Sequence, residues 1–137
     1  MAQLTESQRA FLENAFVAVV TTLRPDGSPH NTVTWVDVDE RGVSFNTVRG
    51  RAKPRHLEAD PRVTLTVLDP ENPYRWISIS GRAELTEEGA DAQIDRLAKK
   101  YLGEDEYPWR RPDETWVTVR ITPEKIESTG IEEELAA

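Results

Sequence analysis

A run of basic side chains is the most direct candidate for binding chemistry in this acidic chain. Residues 49–61 read RGRAKPRHLEADP, in which Arg49, Arg51, Lys53 and Arg55 alternate. Alternate residues of an extended segment point to one side, so these four cations repel one another unless negative charge compensates them. Arginine is well suited to bidentate contact with phosphate or carboxylate.

Two sources of negative charge could compensate the run. Acids of the chain itself, such as Glu58, Asp60 or those in residues 104–106, could pair with it. Alternatively, an anionic ligand binds there, because the run leads into PRHLEAD, a predicted short helix with Pro54 at its first position and Pro61 behind it. A helix N-terminus offers free N–H groups and a positive dipole end. The residues alone leave an anion site and a solvated basic surface both open.

Aromatic side chains are candidates for contact with a flat ring system. Tyr74 and Trp76 flank the start of a predicted strand and share its parity, and Trp35 and Trp109 are further candidates. A pocket for such a ring combines apolar faces with a few polar groups. The alternative is that tryptophans such as Trp35 and Trp116 are core or dimer-interface residues.

Several other chemistries lack their motifs. The chain has no cysteine, which excludes disulfides, thiolate nucleophiles and thiolate metal sites. Neither G-x-G-x-x-G nor a Walker loop occurs. His30 and His56 lie on different predicted elements, so they form no metal set, and neither belongs to a motif that activates a serine. We therefore predict no metal site.

Length and charge narrow the class of protein further. The 137 residues suit a single domain spanning 1–137, with an acidic, mobile tail over 129–137. A net charge of -8 argues against binding to nucleic acid or to an anionic membrane surface. The N-terminus lacks the pattern of a signal peptide, and the longest apolar run, FVAVV, is too short to cross a bilayer. With no cysteine, these features predict a cytoplasmic protein.

Periodicity and turn chemistry predict mainly β structure with flanking helices. The segment TESQRAFLENA predicts a short helix capped by Thr5, with Gln8 in the capping-box position. A longer helix is predicted over 86–103, with Thr86 as its cap. The predicted strands are 15–23, 29–39, 43–48, 62–69, 75–86 and 115–121. Gly81 marks a bend in the fifth strand, and EKIEST extends the sixth.

Short turns such as RPDGS join consecutive strands and favour hairpins. The predicted fold class is therefore mainly β (α+β): a six-stranded antiparallel sheet, with flanking helices, that closes as a small barrel and so removes its edges.

Three segments together resemble one known family. They are the T-x-x-x-D-G-x-P hairpin, RAKPRHLEADPR and YRWISISGRA. The chain resembles the pyridoxamine 5'-phosphate oxidase-like split β-barrel family over about residues 10–128, the central part of the predicted domain. Within that family, GRAKPRHL is most similar to the actinobacterial deazaflavin-dependent (coenzyme F420) reductases of the B type. The C-terminus, VRITPEKIESTGIEEELAA, lacks the aromatic and basic signature of true pyridoxamine phosphate oxidases.

The resemblance implies a homodimer with two cofactor sites at the subunit interface. It implies that Arg51 and Lys53 hold the cofactor phosphate, helped by the backbone at Ala52. Arg55 is implied as a contact for the acidic oligoglutamate tail of the deazaflavin.

Further cofactor contacts are implied on the strands. Asn46 and Thr47 match positions beside the ribityl chain or the ring. The positions implied near the ring system are His30, Thr32 and Thr34, with Tyr74 and Trp76 supplied by the second subunit.

The resemblance implies an oxidoreductase that passes a hydride between coenzyme F420 and an unidentified small organic substrate. The cofactor supplies the chemistry in such enzymes, so we expect no dedicated catalytic residue; His30 or a water is the candidate proton donor. Three alternatives stay open: an FMN-dependent oxidoreductase of the pyridoxamine phosphate oxidase type, a non-catalytic protein that binds or stores coenzyme F420, and a structural domain whose basic loop pairs internally.

Overall fold

The computed structural model describes residues 2–131 as one antiparallel sheet with three helices. The helices are α1 (Glu6–Glu13), α2 (Ala52–Ala59) and α3 (Ala90–Leu102). The strands are β1 (Ala18–Leu23), β2 (Pro29–Thr34), β3 (Asp37–Asp39), β4 (Gly42–Val48), β5 (Arg62–Asp69), β6 (Asn72–Thr86) and β7 (Trp116–Thr129). Within residues 2–131, no helix combines the length and apolar character needed to span a membrane.

The sheet curls into a half-barrel. Its strand order is β2-β1-β5-β6-β7-β4-β3, and all neighbours are antiparallel. The two edge strands, β2 and β3, are consecutive in the chain and are separated only by Trp35 and Val36. The edges must therefore lie close together, which bends the sheet around its core. The predicted antiparallel split barrel is confirmed.

The structure has seven strands rather than the predicted six, because residues 29–39 do not form one strand. At Val36 the backbone N–H donates to the Tyr101 hydroxyl at 3.0 Å, and the carbonyl accepts from Lys100 Nζ at 2.7 Å. The backbone groups of Val36 thus bond to side chains of α3 instead of a neighbouring strand. This break separates β2 from β3.

The core fills the inside of the curled sheet. Phe45, Leu65, Ile77 and Ile79 are fully buried there, and α1 and α2 add Phe11, Leu12 and Leu57. Each such side chain stabilises the fold by about 1.5–3 kcal/mol on burial. The predicted capping box is confirmed: Thr5 Oγ1 accepts from the Gln8 N–H at 3.1 Å, and Gln8 Oε1 accepts from the Thr5 N–H at 2.9 Å.

Two predicted helix starts are wrong. Helix α2 begins at Ala52, so Pro54 is its third residue and Arg51 is the N-cap. Helix α3 begins at Ala90 after a left-handed Gly89, because β6 continues through Thr86 and pairs there with β7. The predicted cap residue of α3 is therefore a strand residue.

The C-terminal part of the chain is more ordered than predicted. Strand β7 runs to Thr129, which confirms the predicted extension by EKIEST. Ile131 is only 1% exposed and belongs to the core, so the tail predicted to begin at 129 is wrong for its first residues. The apolar side chain of Ile131 explains this. The remaining part of the predicted tail, 132–137, lies outside the described residues.

Gly81 marks the bend predicted in the fifth strand. The register between β6 and β7 shifts at Ser80 and Gly81, and a Cβ atom at Gly81 would overlap the backbone carbonyl of Thr122. Backbone atoms of paired strands cannot move aside as the end of a flexible side chain can. Only glycine fits this close approach.

We expect Gly81→Ala to lower the free energy of unfolding by about 3 kcal/mol or more, because the two longest strands must separate to admit the methyl group. Urea denaturation followed by circular dichroism measures this. Glu84→Ala, at an exposed position of the same strand, is the control and should change stability by less than about 0.5 kcal/mol. Equal stability of both variants would contradict the assignment.

Candidate functional site

The N-terminus of α2 is an uncapped helix end surrounded by basic residues. Arg51 is the N-cap, yet its side chain accepts no hydrogen bond from the first turn, and that turn contains no acid. The first N–H groups of an α-helix have no intrahelical acceptor, which leaves those of Ala52 and Lys53 directed outward. Pro54, the third residue, has no N–H to satisfy. The sequence therefore folds into a helix end that favours an anion.

Lys53 adds a half-buried cation to this helix end. Its Nζ donates to Thr32 Oγ1 at 3.1 Å, which joins α2 to β2. Within residues 2–131 no carboxylate forms an ion pair with it, whereas Arg49 bridges Glu58 and Glu87 at 2.9 and 3.0 Å. Burial, and then the nearby charge of Arg51, lower the pKa of Lys53 from its ordinary value. A bound anion would offset both effects.

The other cations of the run have different partners. Arg51 meets Glu114 at 3.4 Å, and its side chain is 56% exposed. The Arg55 Nε donates to the carbonyl of Arg51 at 3.3 Å. Internal pairing, one of the two possibilities left open by the sequence, thus applies to Arg49 and in part to Arg51, but not to Lys53 among the described residues.

The predicted positions on β2 lie on the inward face of the strand, and two of them, His30 and Thr32, contact α2. His30, Thr32 and Thr34 share one face of the strand, since they pair with the inward positions of β1. The rings of His30 and His56 lie 5.0 Å apart, and His56 Nδ1 is hydrogen-bonded to Thr22 Oγ1 at 2.8 Å. Burial, followed by the charges of His30, Arg24 and Arg55, lowers the pKa of His56.

Beside Arg51 lies a cavity of about 190 Å³ between β2, β4, β7, α3 and the segment that follows α3. Thr34, Asn46 and Arg51, all predicted cofactor contacts, line it. Most of its remaining wall is aromatic, formed by Trp35, Tyr107, Trp109 and Trp116. Tyr107 stands at the centre, with its ring 5.2–6.0 Å from those of the three tryptophans. The cavity therefore suits a planar ligand.

The wall is attached firmly to α3. The Tyr107 N–H donates to Asp95 Oδ1 at 2.9 Å, and Arg110 pairs with Asp91 and Asp95 at 2.9 and 2.7 Å. On the opposite side, Trp35 stacks on Tyr101 with ring centroids 5.2 Å apart. These contacts hold the aromatic rings in place before a ligand binds.

Asn46 and Thr47 point to opposite faces of β4. Thr47 has the parity of the core residue Phe45, whereas Asn46 faces α3, where its Nδ2 donates to the Ala90 carbonyl at 3.0 Å and to Gln93 Oε1 at 2.9 Å. The two side chains therefore cannot meet the same group. The sequence reasoning missed Gln93 and Tyr107. For Tyr107, the sequence offered one indication, the aromatic stretch Y-P-W at residues 107–109.

Tyr74 and Trp76 lie on the outer face of the sheet. Trp76 pairs with Leu68 and alternates with the core residue Ile77, and Tyr74 is 80% exposed. A single chain does not bring them to α2. Their assignment to a partner subunit, which the resemblance implies, stays a prediction.

An antiparallel split barrel with an anion-favouring helix end beside an aromatic cavity defines the class of protein. The chain belongs to the pyridoxamine 5'-phosphate oxidase family, whose model matches residues 4–130. The resemblance predicted from the sequence is therefore confirmed.

Three proteins whose names describe an activity are similar to this chain. The chain is 28% identical over 127 residues to an F420H(2)-dependent biliverdin reductase of Mycobacterium tuberculosis, covering 90% of this chain and 87% of that protein. It is 40% identical over 89 residues to a pyridoxine/pyridoxamine 5'-phosphate oxidase of Rubrobacter xylanophilus, covering 64% of this chain and 41% of that protein. A solved structure described as an F420 reductase superposes with a TM-score of 0.77 at 27% identity, covering 90% of this chain and 98% of that one. These relatives support an oxidoreductase with a flavin-type cofactor.

Proposed function

We propose that this protein is a coenzyme F420-dependent oxidoreductase that transfers a hydride between the deazaflavin and a small organic substrate. The observation that carries the proposal is the half-buried Lys53 ammonium, which has no carboxylate partner among residues 2–131 and lies at the uncapped start of α2. A phosphate group fits such a site because it can accept from the Lys53 Nζ and from the free N–H groups together.

The anionic parts of the cofactor would be held by α2. Lys53, Arg51 and the N–H of Ala52 bind the phosphate, and the exposed Arg55 contacts the carboxylates of the oligoglutamate tail. Thr32 orients Lys53 through their 3.1 Å hydrogen bond. This arrangement would give a binding function to the basic run, which is unusual in such an acidic chain.

The ring of the cofactor would lie along β2, against the face that carries His30, Thr32 and Thr34. Thr47 and the backbone of β4 flank the ribityl chain, while Asn46 reaches the ring from the side of α3. Tyr74 and Trp76 of a partner subunit would complete the site.

When bound in its reduced form, coenzyme F420 supplies a hydride to an electrophilic carbon of the substrate. The residues of the chain bind the cofactor, orient it and exclude water from it. Addition of the hydride gives the substrate a negative charge. A proton from His30 or from a water then neutralises that charge.

A second candidate is an FMN-dependent oxidoreductase. The 40% identity to a pyridoxine/pyridoxamine 5'-phosphate oxidase over 89 residues favours it, and the phosphate site described above would serve FMN as well. A non-catalytic coenzyme F420 protein would bind the cofactor without turnover of any acceptor.

The proposal includes a homodimer, and the outer face of the sheet supports it. Val33, Val19, Leu68 and Tyr74 are 42–80% exposed on the neighbouring strands β2, β1, β5 and β6, respectively. Exposed apolar patches of this kind mark contact surfaces. The absence of cysteine suits a reducing cytoplasm, where we place the protein.

We expect Lys53→Ala to weaken binding of coenzyme F420 by about tenfold or more, because a charged hydrogen bond contributes about 1.5–3 kcal/mol. Isothermal titration calorimetry with coenzyme F420 and with FMN measures this. Lys125→Ala is the matched control, since it removes the same charge from a side chain that is 70% exposed, and its affinity should equal that of the wild type. Unchanged affinity in Lys53→Ala, or tighter binding of FMN than of coenzyme F420, would overturn the proposal.

We expect Leu68→Glu to convert the dimer into a monomer, because it places a charge within the apolar contact surface. Sedimentation velocity reports the mass, and circular dichroism checks the fold. Leu102→Glu is the control: it makes the same change at a residue of similar exposure, 40% against 47%, at the end of α3. A monomeric wild type, or a variant that remains dimeric, would rule out this surface.

A further inference from the structure

One carboxylate, that of Glu114, lies beside the anion site at the start of α2. Its Oε2 meets Arg51 Nη2 at 3.4 Å, and its Oε1 accepts from the Arg111 N–H at 3.0 Å. Among residues 2–131, no other carboxylate forms an ion pair with Arg51. The Glu114 side chain is only 14% exposed, so water screens its charge little. An anion that binds at the start of α2 therefore lies near a fixed negative charge.

Backbone contacts keep Glu114 next to this helix end. The Arg49 N–H donates to the Thr115 carbonyl at 2.9 Å, which joins the residue after Glu114 to the start of the basic run. The Glu114 N–H donates to the Arg111 carbonyl at 3.3 Å and closes a turn. Strand β7 begins at Trp116. The position of Glu114 is thus set by the sheet.

The charges at the start of α2 favour a single negative charge on the ligand. Arg51 and Glu114 together are neutral, which leaves the half-buried ammonium of Lys53 and the free N–H groups of the first turn. Arg51 can still contact a ligand through nitrogens that Glu114 does not use, because a guanidinium has five N–H donors. A second negative charge on the ligand has no buried cation to balance it and is repelled by Glu114.

The other cations of the run do not change this balance. Arg49 bridges Glu58 and Glu87 at 2.9 and 3.0 Å, so its charge is already compensated. Arg55 lies one turn further along α2 and is exposed. Water and salt weaken the field of an exposed charge much more than that of a buried one.

Phosphate esters differ in the number of their negative charges. A phosphodiester has one, whereas a phosphomonoester has about 1.5–2 at pH 7, because its second proton dissociates with a pKa of about 6. Coenzyme F420 contains a phosphodiester between its ribityl chain and its tail, and FMN ends in a phosphomonoester. The helix end can accept either phosphate, but Glu114 opposes the second charge of FMN.

We propose that Glu114 is a specificity-determining residue of the anion site, which selects a phosphodiester over a phosphomonoester and thereby coenzyme F420 over FMN. The step from a phosphodiester to coenzyme F420 rests on the proposed function. The selection itself needs only Glu114, Arg51 and Lys53. Glu114 acts through its charge and through its contact with Arg51, and it does not have to touch the ligand.

The test compares FMN with its monomethyl phosphate ester, which has the same ring system and one ionisable proton fewer. Calorimetric titration of the full-length protein measures both affinities and that for coenzyme F420. The wild type should bind the ester more tightly than FMN. Glu114→Gln should strengthen binding of FMN about tenfold and of the ester about threefold, because the repulsion scales with the charge of the ligand. The ratio of the two affinities therefore shifts about threefold towards FMN.

Two further variants separate the charge of Glu114 from other effects. Glu58→Gln is the matched control: it makes the same change at an acid that pairs with Arg49 of the same run and is 58% exposed, and it should leave the ratio as in the wild type. Glu114→Asp keeps the negative charge and should keep the wild-type preference for the ester. Circular dichroism checks that each variant is folded.

The remaining outcomes contradict the proposal. Tighter binding of FMN than of the ester by the wild type, or an unchanged ratio in Glu114→Gln, would show that Glu114 does not select by charge. An equal shift in Glu58→Gln would assign the preference to the total charge of the protein. An equal shift in Glu114→Asp would assign it to the shape of the side chain. If coenzyme F420 binds none of these proteins while FMN and its ester behave as described, the proposed function fails and the charge selection stands.

Discussion

The arrangement of the candidate site depends on one cation, the Lys53 ammonium. It is half-buried at the first turn of α2, bonded to Thr32 and without a carboxylate partner among residues 2–131. The helix end contributes its free N–H groups to the same point, and no acid in the first turn neutralises them. Positive charge held away from water in this way costs free energy unless an anion binds. Strands β2 and β4 and the turn before α2 together hold this cation in position.

Arg51 connects the two halves of the site. It is the N-cap of α2 and also lines the aromatic cavity, so a phosphate at the helix end and a planar ring in the cavity would be neighbours. Around the cavity, the Asp37–Gln93–Asn46 hydrogen bonds and the pairing of Arg110 with α3 set directions before any ligand arrives. Such preorganisation lowers the free-energy cost of orienting a bound ligand.

The sequence predicted the sheet well because alternation and turn residues are local signals. It placed every strand region and the capping box at Thr5, and it singled out the basic run that contains Lys53. It could not predict the break at Val36, whose backbone bonds to side chains of α3 some 65 residues away in sequence, nor the hydrogen bond from Asn46 to Gln93. Both depend on contacts between distant segments, which no local pattern encodes.

The central claim is that an anion binds the start of α2 through Lys53 and the adjacent N–H groups. The most direct measurement is ¹⁵N–¹H NMR of the labelled protein during titration with inorganic phosphate. The account predicts that the amide resonances of Ala52 and Lys53 shift most and that the shifts saturate. If these two resonances stay in place while those of other basic segments, such as the one around Arg62, move instead, the account is contradicted.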